Sequence, residues 1–497
     1  MANTRLEYNC ASVVTNSLQG HATKLALSCE GDSFTRKEFL REIAARRARF
    51  CDHDVKAGTR VIIVSGRGSR FWADFVALWS LGAIAIPLDP TIEDTHALEI
   101  ARAAKPTHIS GEFKTPPQAL DGLTHISEDV ISARDEGDAV GELEIEPVQP
   151  DTLAGLFFTS GSTGLPKGVM IRHEMLIANM YASQARVNLL PSDTLFIAIP
   201  FRFISSISHF LVTVLAGAIF VGSERNFMPK ALIESMHAAD ITAFGGSPLQ
   251  VRLISNAPRS KFPRLRWIMS SGDHLSEEII KVMREARPEV SLNAVYGLTE
   301  LAGRFCTLSP EQIDAKPGSV GRPIPGLGLA VLDDDGRNCK PHEIGHVYAR
   351  GICCLDGYVG NEAATRKAVT GHGFRTGDMG ALDEDGDLFL AGRSDSVFKR
   401  SGLKVSCIPI VEVLMKLGVF KDVAVMPRDD ELEGAVPVAY VVLQDSVEFQ
   451  RAEVLGEIRS VLSPKHLPAD FIVVEEIPRT RSGKVKSHEL VNSQKSN

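Results

Sequence analysis

From Phe34 to Glu300, short apolar runs alternate with longer amphipathic stretches. Phe34–Arg49 has apolar residues on one side and basic residues on the other, which predicts a surface helix. Val61–Ser65 is a short β-branched strand, and Phe71–Leu81 is an apolar helix. That helix leads through Gly82 into Ala83-Ile84-Ala85-Ile86-Pro87-Leu88-Asp89-Pro90. Helix, glycine, strand and proline in this order predict an α/β unit of a parallel sheet. Leu153–Phe158 is an unbroken apolar run and reads as a buried strand. It enters a stretch of small and hydroxyl residues, and a helical pattern with Met170, Leu176, Ile177 and Met180 follows. Further strands are predicted at Thr194–Pro200, Ile241–Ser247, Trp267–Ser271 and Leu292–Tyr296, with a helix and strand across Ile207–Val221.

The pattern changes over residues 318–392. Gly and Asp turns separate short strands such as Leu329–Leu332, His346–Arg350 and Leu388–Ala391, which predicts an antiparallel or barrel-like subdomain. The last hundred or so residues alternate helix and strand on a smaller scale and end in the basic stretch Arg479–Lys486. They read as a separate domain. Residues 111–150 are acidic and rich in Gly, Pro and Asp, a surface excursion before the central strand.

Composition narrows the function classes. The 497 residues suggest about three domains of ~150 residues. With 54 Lys and Arg against 62 Asp and Glu, the net charge of −8 argues against a general nucleic-acid binder. Met1–Cys10 has no apolar core and does not resemble a secretory signal. The longest apolar stretches, Val76–Leu88 and Phe210–Val221, fall short of the ~20 residues of a membrane span. Eight scattered cysteines without a Cys-x-x-Cys pair point to reduced thiols and a cytoplasmic location, and Cys353–Cys354 reads as packing.

The chemistry centres on Thr159–Gly168, Thr-Ser-Gly-Ser-Thr-Gly-Leu-Pro-Lys-Gly. Glycines let backbone approach an anion, hydroxyls and N–H groups bind phosphate oxygens, and Lys167 adds positive charge. A P-loop needs Gly-Lys-Ser/Thr, and Pro166 and Gly168 break that template. Three predicted strands end in small or polar residues: Gly245-Gly246-Ser247, Ser270-Ser271-Gly272 and Tyr296-Gly297-Leu298-Thr299-Glu300. Ligands bind beyond the carboxyl ends of strands in open α/β sheets, so these ends and the Thr159 loop are expected to ring one site. His342-Glu343-Ile344-Gly345-His346 matches a zinc-protease pattern that requires a helix. Pro341 and Gly345 and the strand-like residues after them argue against one.

The Thr159–Gly168 stretch resembles the phosphate-binding signature of the adenylate-forming superfamily, which holds acyl- and aryl-CoA synthetases, peptide-synthetase adenylation domains and luciferases. The Gly82–Pro90, Tyr296–Glu300, Phe374–Asp378 and Arg481–Lys484 stretches resemble its other signatures, in family order. The resemblance implies an α/β fold. A large N-terminal domain, residues 1–393, would contain two α/β sheet subdomains and a β-barrel-like subdomain. A small mobile α+β C-terminal domain, residues 394–497, would carry the catalytic lysine. It implies ATP-dependent activation of a carboxylic acid as acyl-AMP, then thioester formation with coenzyme A, or alternatively with a carrier-protein phosphopantetheine. The chain would be a monomer or homodimer.

By resemblance, Thr159, Ser160, Gly161, Ser162, Thr163, Gly164 and Lys167 hold the β- and γ-phosphates. Thr299 touches the α-phosphate, and Glu300 holds Mg²⁺. Asn293, Ala294, Val295 and Tyr296 flank adenine. Asp378 accepts the ribose hydroxyls with Arg393 in support. Lys484 bridges the substrate carboxylate and the α-phosphate. The C-terminal domain turns about Asp395, and Gly402, in Ser401–Val405, then lines the pantetheine path. The acid pocket is assigned to Phe201, Arg202, Phe203, Gly245, Gly246, Ser271, Gly272 and Arg304. Phe203 or Arg202 stands where the CoA-synthetase branch commonly has a histidine, and Cys407-Ile408-Pro409-Ile410-Val411 departs from the usual Pro-x-Glu-Ile-Glu. The aromatic residues and paired glycines favour an aromatic or compact apolar acid. Arg202 and Arg304 are both candidates to meet a second negative charge on it.

Overall fold

The computed structural model describes residues 8–126, 143–160, 166–224, 228–394, 396–445, 449–479, 485 and 490. The chain divides into two compact units, residues 1–329 with 349–375 and residues 330–348 with 376–497.

The first unit holds two α/β sheets. One has six strands in the order Thr124–Ile126, His108–Ser110, Arg60–Val64, Ile84–Leu88, Leu153–Ser160 and Pro166–Arg172. The first five are parallel and the last is antiparallel to its neighbour. The Ile84–Leu88 strand is buried throughout, as its continuous apolar run requires of a central parallel strand. In the second sheet, Leu25–Cys29, Ile219–Gly222, Thr194–Ile197, Ala243–Gly246, Trp267–Ser271 and Ser291–Leu298 are parallel neighbours. Gly303–Leu308 then returns antiparallel to Ser291–Leu298, and Ser319–Pro323 pairs antiparallel with it.

The basic face of the first long helix behaves differently from the expectation of a solvated surface. The helix Arg36–Asp52 starts at a capping box formed by Thr35 and Glu38, but Arg36, Glu42 and Arg46 are buried. Arg46 pairs with Glu42 at 2.8 Å and with Asp74 at 2.7 Å, and Asp74 also pairs with Arg67. These arginines hold the fully buried Asp74 carboxyl below its ordinary range despite desolvation. Nearby, Trp72 stacks on Phe210 at 4.5 Å and meets Phe201 at 5.0 Å and Phe220 at 5.1 Å.

The stretch after Thr159–Ser160 also departs from its expected form. Pro166–Arg172 is a strand rather than the start of the expected helical pattern, and the helix begins only at His173. Val169 and Ile171 are buried while Met170 and Arg172 are partly exposed, the period-two alternation of a strand.

In the second unit, Asp378–Leu382 pairs antiparallel with Leu388–Arg393. Val397–Arg400 and Leu403–Ser406 form a hairpin, and the long strands Phe420–Asp430 and Gly434–Leu443 pair antiparallel. Asp470–Val473 adds a parallel edge to Gly434–Leu443. The helices Ile408–Lys416 and Arg451–Ile458 pack on this sheet around Ile410, Leu414, Val425, Val441, Val454 and Ile458. Pro409 lies in the first turn of its helix, where a missing N–H costs nothing, so the departure at Cys407–Val411 is accommodated as a helix start. His342 adopts a left-handed backbone conformation and the strand Gly345–Gly351 begins within the His-Glu-x-x-His match, so the two histidines do not share a helix face. They bond instead to Glu384 and Asp334 respectively.

Candidate active site

Thr159 and Lys167 face each other across the hairpin made by Leu153–Ser160 and Pro166–Arg172, next to the pairs Ser160–Pro166 and Phe158–Gly168. Gly161, Ser162, Thr163 and Gly164, which connect these strands, lie outside the described residues, as do Asp395 and Lys484. Gly168 is needed for a close approach. A Cβ there would sit 2.7 Å from the Phe158 ring and 2.6 Å from Val359. The Gly168 carbonyl accepts from the Val359 N–H at 2.8 Å, and Val169 bridges Tyr358. The segment around Tyr358 is thereby fixed alongside the strand that follows the signature.

Tyr358 is one of two residues, with His209, that sequence reasoning missed. Its hydroxyl donates to Glu300 Oε1 at 2.9 Å, and Lys167 Nζ lies 5.7 Å from its ring centroid. The Leu355 N–H also donates to the Glu300 carbonyl at 2.8 Å. One aromatic ring thus connects the lysine of the signature to the acid at the end of Ser291–Leu298. Thr299 and Glu300 form a single 3₁₀ turn there, both half-buried. Upstream, Asn293, Ala294, Val295 and Tyr296 are buried in that strand, and the Tyr296 ring packs 5.7 Å from Phe305. The donor set suits a hard cation, since a half-buried carboxylate stands beside a threonine hydroxyl.

The second unit carries Asp378 and Arg393 as a cross-strand pair. Arg393 Nη1 donates to Asp378 Oδ1 at 3.1 Å and to the Thr376 carbonyl at 3.3 Å. The Asp378 N–H donates to Thr376 Oγ1 at 3.1 Å, which fixes the backbone that carries the carboxylate. Gly402 and Ser401 form the two-residue turn between Val397–Arg400 and Leu403–Ser406, both with positive φ, 84° and 48°. Within 4 Å of the Gly402 Cβ position there is nothing, and Arg400 steadies the turn through Glu433.

The residues assigned to the acid pocket separate into distinct environments. Phe201 is fully buried among Phe71 and Trp72 and its N–H donates to Glu224. Phe203 is exposed. Arg202 pairs with Asp89 at 2.8 Å and lies 4.5 Å from the Phe203 centroid. Gly245 and Gly246 end a buried strand; a Cβ on Gly245 would collide with His209 Nε2, and one on Gly246 with Gln250. Ser271 is half-buried at its strand end, and Gly272 follows with φ 91° and open space around it. Arg304 is 3% exposed, in register with Gly297 on the neighbouring strand. His209 was not legible as a pocket residue, because its place above Gly245 depends on how the helix Ile204–Leu215 lies on the sheet.

The chain matches the family described as AMP-binding enzyme over residues 14–359 and the AMP-binding enzyme C-terminal domain over residues 411–484. It is 26% identical to 4-coumarate-CoA ligase 1 of Narcissus pseudonarcissus over 93% of this chain and 90% of that protein. Two solved structures of o-succinylbenzoate CoA synthetase from Bacillus subtilis share its fold with TM-scores of 0.84. The one in complex with the acyl-adenylate intermediate is 23% identical and covers 96% of this chain and 97% of that one. The one with ATP and magnesium is 24% identical, covering 96% and 99%.

Proposed function

The chain belongs to the AMP-binding enzyme family, and on that premise we propose that it is an ATP-dependent carboxylic acid–CoA ligase. It activates an aromatic or compact apolar acid as acyl-AMP with release of pyrophosphate, and then forms the acyl-CoA thioester with release of AMP. ATP, Mg²⁺ and coenzyme A are its co-reactants, as the names and complexes of its relatives support. The observation that carries the reading is the contact of Tyr358 with both Lys167 and Glu300. It ties the phosphate-binding signature to the acid suited to a magnesium ion.

A carboxylate resists attack by a thiol because its leaving group would be oxide. Activation moves the problem to phosphorus, where the barrier falls through positioning and charge neutralisation. Lys167 offers positive charge to the β- and γ-phosphates, and Thr299 offers its hydroxyl to the α-phosphate. Glu300 is the residue to hold Mg²⁺, whose charge would offset that of the phosphates. Asp378, oriented by Thr376 and Arg393, accepts from the ribose hydroxyls. Lys484, on the C-terminal domain of residues 394–497, bridges the acid carboxylate and the α-phosphate, while Gly402 serves the thiol.

The test is ATP-dependent pyrophosphate release over a panel of acids, with and without CoA. The expected result is turnover that rises with CoA, yielding AMP and thioester. Acid-dependent release indifferent to CoA would move the acceptor to a carrier-protein phosphopantetheine. No release with any acid would overturn the ligase reading.

A further inference from the structure

Two arginines stand near the strand ends assigned to the acid, and the chain treats them differently. Arg202 is neutralised by Asp89 at 2.8 Å. Arg304 is buried deeper and has no carboxylate partner among the described residues. Its Nη1 donates to Ser208 Oγ at 2.6 Å and its Nε points at Met269 Sδ at 3.3 Å, a weak acceptor. Its Nη2 is buried without a hydrogen-bond partner among the described residues. Burial alone lowers its pKa to about 10, so the group remains a cation at neutral pH.

A buried guanidinium without a counter-ion is costly, since the lost hydration is not replaced. Among the described residues, the surroundings of Arg304 add no negative charge. His209 is close enough for the arginine to disfavour its protonation, and burial takes its pKa to about 3. His209 Nδ1 meets the Ser205 carbonyl at 2.6 Å, and its Nε2, directly over Gly245, is also buried without a hydrogen-bond partner among the described residues. Gly245, Met269 and Asn293 are in cross-strand register here, and only glycine leaves the first of these positions open to the imidazole. Arg304 is itself in register with Gly297, next to the strand end that presents Thr299 and Glu300.

We propose that Arg304 seats a second anionic group on the acid substrate, beside His209, so that the acid activated is a compact dicarboxylic or otherwise doubly acidic compound. The carboxylate to be adenylated faces the strand ends, and the far anionic group supplies the counter-ion that the chain withholds. This rests on the acid–CoA ligase reading above. It assigns the role to Arg304 and leaves Arg202 to its ion pair with Asp89.

The experiment compares aromatic and short-chain dicarboxylates with their monomethyl esters, and with monocarboxylates of the same skeleton. Pyrophosphate release is measured for the wild type, Arg304→Met and Arg304→Lys, alongside melting temperatures without substrate. The wild type is expected to prefer one diacid over its ester by about 100-fold or more in kcat/KM. Arg304→Met is expected to lose that preference, Arg304→Lys to keep part of it, and Arg304→Met to melt no lower than wild type because an uncompensated charge has gone. If Arg304→Met fails to fold, the diacid-to-ester ratio of the wild type and of Arg304→Lys still decides. Equal turnover of diacid, ester and monoacid would overturn this inference and leave the ligase reading intact. So would stabilisation of the wild type alone by chloride without any selectivity among acids, which would make the counter-ion inorganic. No release with any acid would remove the ligase reading and this inference with it.

Discussion

His173 shows how a single residue carries information that local sequence does not. Its Nδ1 accepts from the Cys10 N–H at 3.1 Å, joining the helix His173–Val187 to the helix Cys10–Leu18. Burial lowers its pKa from 6.5 to about 3, and His209 shifts in the same way. Between those values the unfolded chain binds protons that the folded chain does not. Stability is therefore full above pH 6.5 and falls as the pH drops towards 3, by up to about 1.4 kcal/mol per pH unit for each histidine. The carboxyls of Asp74 and Asp193 are held below their usual 3.8, so their contributions are lost only at lower pH. Replacing His173 by Leu strips the Cys10 N–H of its acceptor and is expected to cost about 1–3 kcal/mol at neutral pH. It should also flatten the decline between pH 6.5 and about 4.5. Denaturant unfolding at several pH values checks both, and a profile parallel to wild type would refute the assignment. The sequence shows only a histidine before a glutamate at a helix start, because the partner lies 163 positions away.

At the scale of elements, the parallel strands were legible because continuous apolar runs followed by small residues have few other readings. Trp267–Ser271 and the helix–glycine–strand order at Gly82 emerge as expected. The hairpin after the phosphate-binding signature was not, since Met170 fits a helical spacing with Leu176 and Ile177 as well as a strand. What decides is pairing with Leu153–Ser160 and with the segment around Tyr358, contacts that no local pattern encodes. The same reason hid Tyr358, which stands 58 positions from Glu300. This packing makes Gly168→Ala a test of the element. The added methyl would sit within 2.6–2.8 Å of Val359 and the Phe158 ring, so the two sides must separate. Overpacking of this kind costs about 1–3 kcal/mol. The separation should also draw Tyr358 from Lys167 and Glu300, so the KM for ATP is expected to rise several-fold with little change in the KM for the acid. An unchanged KM for ATP in a destabilised variant would limit the glycine to a packing role.

At the scale of the molecule, Lys167, Thr299 and Glu300 belong to the first compact unit, and Asp378 and Arg393 to the second. The sequence shows a change of pattern after residue 318 but sets the domain boundary at 393, which would leave Asp378 and Arg393 in the larger domain, and the placement of Lys484 rests on the resemblance of Arg481–Lys484 alone. A two-step ligase gives that placement a sharp consequence. In the proposed role, Lys484 would act on the charge shared by the acid carboxylate and the α-phosphate, which exists only while the acyl-adenylate is being made or reversed. A lone surface lysine near a basic terminus would instead contribute little to either step. Lys484→Ala is therefore expected to cut acid-dependent pyrophosphate release by at least about 100-fold, in the range by which removing an electrostatic stabiliser slows a reaction. Its melting temperature should be unchanged. Thioester formation from synthetic acyl-adenylate and CoA should survive, because in the proposed roles the Gly402 turn, and not the lysine, would serve the thiol. If both half-reactions fall together, the lysine serves the structure of the second unit. If neither falls, the charge that joins acid to phosphate must come from another residue, and Lys167 becomes the group to replace next.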